Sequence, residues 1–118
     1  MRIEIKGRNV PIEDELRERV EKKFAKVARQ VPPDTRMEVE LMEEANPAIH
    51  DREVVEITLP LMGAVLRARE ASDSMIHSVN LAAEDIARQV KRRREKRRGE
   101  RSTVRMPSDL SAPSPNTL

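Results

Sequence analysis

Ile3 and Ile5 alternate with Arg2, Glu4 and Lys6, the period of two that half-buries a β-strand, and Gly7 is read as its end. From Glu13 to Gln30 the period changes. Leu16, Val20, Phe24, Val27 and Val31 recur at steps of four, four, three and four, which only a helix aligns on one face. Glu13, Asp14 and Glu15 crowd its first turn, where the helix dipole favours carboxylates, and Pro32-Pro33 prevents its continuation. Met37, Val39 and Leu41 then alternate with Glu38 and Glu40. A turn near Asn46-Pro47 leads to a second alternating run at Val55, Ile57 and Leu59, so the two are expected to pair antiparallel. Pro60 and Gly63 predict another turn before a short fourth strand around Leu66 and Ala68. Ser72 is the expected N-cap of a long second helix carrying Met75, Val79, Ala82, Ala83, Ile86 and Val90 on one stripe.

Continuing that stripe places Arg93 and Arg97 where core residues belong. Burying unpaired guanidinium groups is prohibitive, so the helix is expected to leave the body after Val90. Past Gly99 the chain turns to Ser, Pro, Thr and Asn with no period, as in a disordered tail or linker. The predicted domain is therefore residues 1–98, with 99–118 outside it. Its class is α+β, ordered β-α-β-β-β-α, a four-stranded sheet with two helices packed on one face.

Composition narrows this further. Phe24 is the single aromatic residue, so the core must close with aliphatic side chains. No cysteine is present, which excludes disulfides and thiolate chemistry. The N-terminus lacks the apolar run of a signal peptide, and no segment reaches membrane-span length; a cytoplasmic protein with no membrane partner is expected. The net charge of +2 conceals an asymmetry. Residues 1–86 hold 13 basic and 18 acidic side chains, whereas 87–118 hold 10 basic and 3 acidic, with seven of the eight residues from Lys91 to Arg98 being Lys or Arg. An acidic body with a concentrated basic arm points to a polyanionic partner.

Catalytic patterns are not found. His50 and His77 are far apart and fit no metal-ligand spacing, and His50-Asp51 reads as a local hydrogen bond in a turn. Glu38, Glu40, Glu43 and Glu44 read as hydrated strand residues, and no phosphate loop, dinucleotide fingerprint or nucleophile elbow occurs. We therefore expect no enzyme activity, catalytic residue, metal, cofactor or small-molecule substrate. Among nucleic-acid modes, base stacking on aromatics is disfavoured because Phe24 belongs to the core stripe, and three isolated glycines cannot form a Gly-x-x-Gly clamp. Gripping of backbone and shape by Lys and Arg remains. On a helical projection Arg19, Lys22, Lys23, Lys26 and Arg29 share one sector, apart from Asp14, Glu18 and Glu21. With Arg88, Lys91, Arg92 and Lys96 of the second helix they are expected to border one groove. Docking of the basic arm on an acidic protein, and binding of duplex RNA unrelated to ribosomes, stay open as alternatives.

The chain also resembles a known family, the ribosome hibernation promoting factors and the related ribosome-associated translation inhibitors called protein Y. The resemblance lies in IEIKGRNV, ELRERVEKKFAKV, GAVLRAREASDSM and VNLAAEDIARQVKRRREK, in the family's order and spacing over residues 1–98. Ile76 stands where the family usually has tyrosine, and Asp85 at a commonly basic position. The resemblance implies a double-stranded-RNA-binding-like fold and a factor that binds the small ribosomal subunit and its ribosomal RNA in the mRNA and tRNA channel, blocking translation. It implies RNA-binding roles for Lys23, Lys26, Arg29, Arg88, Lys91, Arg92 and Lys96, to which the helical sector adds Lys22. Longer members carry a C-terminal dimerisation domain, and nothing after Gly99 resembles one.

Overall fold

The computed structural model describes the backbone of residues 1–105 and the side chains of residues 1–98. Its elements run β1 (Arg2–Arg8), α1 (Asp14–Lys23), α2 (Ala25–Ala28), β2 (Arg36–Glu43), β3 (Glu53–Leu61), β4 (Ala64–Ser72) and α3 (Met75–Arg105). The strands form one sheet in sequential order, with β1 parallel to β2 and the other pairs antiparallel. A parallel pair needs a crossover connection, and α1–α2 supplies it. The alternation in β2 and β3 sends Met37, Val39, Leu41, Val55, Ile57 and Leu59 into one buried layer. Val20, Phe24 and Val27 from α1–α2 and Val79, Ala82, Ile86 and Val90 from α3 join the same core. Each fully buried aliphatic side chain contributes about 1.5–3 kcal/mol, so this layer holds the domain without help from further aromatics.

Several boundaries differ from those read in the sequence, each for a local reason. β1 runs through Gly7 to Arg8. Glycine is required at position 7 because the chain folds back across it: an added Cβ would lie 2.2 Å from the Val10 carbonyl oxygen. The single helix expected from Glu13 to Gln30 breaks at Phe24, whose φ of −98° and ψ of 6° separate α1 from α2 while its ring stays wholly buried. Pro60 lies inside β3 rather than in the turn. Glu38 opposite Thr58 is the last β2 pair, so the proline sits where β3 has only β4 beside it. β4 is a full nine-residue strand.

Ser74, not Ser72, caps α3: its Oγ accepts the His77 N–H at 3.3 Å, and its carbonyl accepts the Ser78 N–H at 2.9 Å. Ser72 anchors the cap from below. Its Oγ donates to the Ser74 carbonyl at 2.7 Å and lies 2.7 Å from Ser78 Oγ, which donates to the Glu53 carbonyl at 2.6 Å. At its far end α3 stays on the body one turn longer than expected. Arg93 and Arg94 are half-buried, and an Arg93 Nη2–H donates to the Met62 carbonyl in the β3–β4 turn. A guanidinium tolerates this place because a backbone acceptor meets it. The helix also continues across Gly99 to Arg105. The polar tail, beyond that point, lies outside the described residues.

The sheet face away from the helices is charged. Arg36 donates to Glu4 at 2.5 Å, Arg8 lies 3.2 Å from Glu40, and Arg69 pairs with Glu56. The Arg36 guanidinium holds the Glu4 carboxyl below its usual range. His50 makes the expected local contact, Nδ1 to Asp51 Oδ1 at 3.3 Å. Glu53 behaves oppositely to Glu4. Burial and the Glu43 carboxyl facing it across β2–β3 push it up.

Two stability predictions result. Gly7→Ala should lower Tm by about 4 °C or more, since overpacking costs about 1–3 kcal/mol, and thermal unfolding measures it. Because the folded state raises the Glu53 pKa, its contribution favours folding at low pH and is lost as pH rises through the folded value. Glu53→Gln should therefore stabilise at pH 7 by about 0.2–1 kcal/mol, the scale of like charges directly opposite on a sheet. Denaturation at about pH 3.5, below the ordinary carboxylate range, should show that gain gone. An equal gain at both pH values would contradict a like-charge origin.

Candidate nucleic-acid interface

Small residues on α3 set the distance between the helices. Ala83 and Ala87 face α1–α2 and, with Val27, floor a groove of about 370 Å³ between α1–α2 and α3. Lys23 and Lys26 stand on one wall and Arg88 and Lys91 on the other, with Gln30 and Glu84 completing the lining. All four cations are exposed. A trough with cations on both rims and an apolar floor suits a phosphate backbone, which needs charge at its edges and no base-specific donors.

Half of the eight predicted site residues therefore meet in one groove: Lys23, Lys26, Arg88 and Lys91. The others do not line it. Lys22 borders a different depression with Glu15, Glu18, Arg19 and Glu21, on the outer side of α1. Lys22 lies about 100° around α1 from Lys23, and Glu15 falls within the same sector as Arg19 and Lys22, so the charges on α1 are less sorted than expected. The break at Phe24 separates the α2 segment carrying Lys26 from α1. Arg29 is exposed at the C-cap of α2. Arg92 and Lys96 are exposed on α3 but turn about 100° and about 140° away from Lys91 around the helix axis.

Asp85, at a position where the resemblance implied a base, has a structural partner. Its Oδ1 accepts from Gln89 Nε2 at 3.1 Å, and the same amide donates to the Arg67 carbonyl of edge strand β4 at 2.7 Å. The pair ties α3 to the sheet on the side opposite the groove. Residues that sequence reasoning missed lie at the β3–β4 turn. Met62 lines a cleft of about 410 Å³ with Arg94, Arg97 and Arg98. The signal for the arginines was the basic run itself; nothing in the sequence placed Met62 beside it.

The comparisons with known proteins agree with this architecture. Residues 3–98 match the family model described as Sigma 54 modulation protein / S30EA ribosomal protein. A ribosome hibernation promotion factor from a Picosynechococcus strain is 30% identical over 105 residues, covering 88% of this chain and 54% of the relative. One from Staphylococcus aureus is 31% identical over 94 residues, covering 78% and 47%. The chain thus spans about half the length of these curated relatives. Among solved structures, the Thermus thermophilus protein Y N-terminal domain superposes with a TM-score of 0.67 at 29% identity, covering 78% of this chain and 98% of that one. A ribosomal subunit interface protein from Coxiella burnetii has a TM-score of 0.65 at 22% identity, covering 80% and 99%, a likeness of fold. The four-stranded sheet under its helices, matched across residues 3–98, makes this chain a member of the Sigma 54 modulation protein / S30EA ribosomal protein family.

Proposed function

We propose that this domain is a ribosome hibernation factor that holds small-subunit ribosomal RNA in the mRNA and tRNA channel and stops translation by occupying it. The observation that carries the reading is the groove with Lys23 and Lys26 on one rim and Arg88 and Lys91 on the other. Membership of the S30EA family and relatives named as hibernation promotion factors support the ribosome as the target. The mechanism is steric. Cations displace counterions from the phosphates, which gives affinity without reading sequence, and the bound domain excludes mRNA and tRNA from the same path. Such a role needs no catalytic residue and no cofactor, and it places the protein in the cytoplasm. Lys22, Arg29, Arg92 and Lys96 act as outlying phosphate contacts around the central four.

Replacing Lys23, Lys26, Arg88 and Lys91 together by Glu should abolish co-sedimentation with small ribosomal subunits. Tm should shift little, because all four side chains are exposed. Each single change to Gln should reduce the slope of log affinity against log salt by about 0.7–0.9, one phosphate contact apiece. Arg92→Glu and Lys96→Glu should weaken binding less than the groove changes. Co-sedimentation surviving the fourfold reversal would overturn the reading. Retention instead by free duplex RNA, or by an acidic protein from ribosome-depleted lysate, would point to the alternative partners.

A further inference from the structure

The β3–β4 turn is built against local preference. Leu61 pairs with Ala64, leaving Met62 and Gly63 as a two-residue hairpin turn, and both have positive φ, 53° and 79°. Gly63 takes that conformation freely; methionine does not, and Asn or Asp is the residue expected before glycine in such a turn. A second local cost lies beside it. Arg93 bends over the turn to donate to the Met62 carbonyl, with Nη2 3.7 Å from where a Gly63 Cβ would stand, and its buried Nε has no acceptor. Backbone strain and an unsatisfied polar atom thus coincide at one place, which local stability does not account for.

What this arrangement achieves is the presentation of a thioether beside guanidinium groups. Met62 forms one wall of the cleft of about 410 Å³, and Arg94, Arg97 and Arg98 form the rest. Lys91, Arg94 and Arg98, at i, i+3 and i+7, share one side of α3, so the cleft continues the basic edge of the groove. From Lys91 to Arg98 the helix rises about 10 Å, roughly three steps along one strand of a duplex. A strand leaving the groove thus reaches the turn without a detour.

We propose that this cleft receives one unpaired RNA nucleotide next to the folded RNA in the groove, its phosphate on Arg94 and Arg98 and its base against Met62. Guanidinium groups match phosphate oxygens in pairs, and a polarizable thioether makes favourable contacts with aromatic rings, so the two parts of the cleft suit the two parts of a nucleotide. The size falls within the range of small-ligand pockets. Arg93 acts as a positioning residue that holds the turn and touches no RNA. Phe24, the single aromatic residue, is buried in the core and no ring lines the cleft, which leaves this methionine contact. The inference rests on RNA as the partner proposed above and extends it to a junction of paired and unpaired strands.

The test uses the full chain and two RNA hairpins, one blunt and one carrying a short unpaired extension, with binding followed by fluorescence anisotropy. The wild-type protein should prefer the extended hairpin by about three- to tenfold. Met62→Asn and the double change Arg94→Gln with Arg98→Gln should each remove the preference. Met62→Asn should in addition raise Tm, since asparagine suits the positive φ; Lys23→Glu with Lys26→Glu should weaken both hairpins alike. Blunt-hairpin binding that depends on the groove lysines, with no preference for the extension, would overturn the inference and leave the RNA-binding reading intact. Failure of the wild type to bind either hairpin would overturn the inference; the ribosome reading falls with it only if co-sedimentation with small subunits is absent too. A preference that survives both cleft variants would overturn the inference alone.

Discussion

The burial of one aliphatic stripe of α3 against the sheet is the contact on which the other features depend. Val79, Ala82, Ile86 and Val90 are wholly buried. They set the rotation of the helix about its axis, and that rotation decides everything its remaining faces do. With those four turned down, Ala83 and Ala87 face α1–α2, Arg88 and Lys91 rise along the groove, and Asp85 with Gln89 reaches the edge of β4. The serine cluster at the start of α3 fixes the other degree of freedom, its position along the sheet. A helix fixed in rotation and position presents its cations from a backbone already ordered, so binding orders only their side chains.

The sequence revealed most of the fold because its elements obey simple periods. Period two in β2 and β3 and steps of three and four in α1 and α3 identify their buried faces unaided. What it hid was set by contacts between distant residues. Gly7 gave no local sign that the Val10 carbonyl crosses it. Pro60 marks a turn in most contexts, yet in this chain occupies a stretch of β3 without a β2 neighbour. Ser72 and Ser74 are equally good caps by type, and only Ser72's other bonds to Ser78 decide between them.

The site was half legible for a related reason. Of the cations grouped by the projection, Lys23, Lys26, Arg88 and Lys91 line the groove, where α1–α2 and α3 face each other. Lys22 stands about 100° around α1 from Lys23, which turns it to the side shared with Glu15 and Glu18 and away from the groove. Arg93 shows the opposite error. Charge alone argued that it could not touch the body, while the turn it reaches offers a carbonyl thirty-one residues earlier in the chain. Rules of burial hold for unpaired groups, and pairing is a tertiary fact.

The parallel seam between β1 and β2 carries a different kind of consequence, one of assembly. β4 closes on β3 across two turn residues and β3 on β2 across residues 44–52, but Arg2 finds Arg36 only after the whole α1–α2 crossover has been laid down. Loop-closure entropy rises in that order. The meander with α3 on its back is therefore the cheapest part of the domain to close. In entropic terms the wall carrying Lys23 and Lys26 is the part of the trough whose closure costs the chain most.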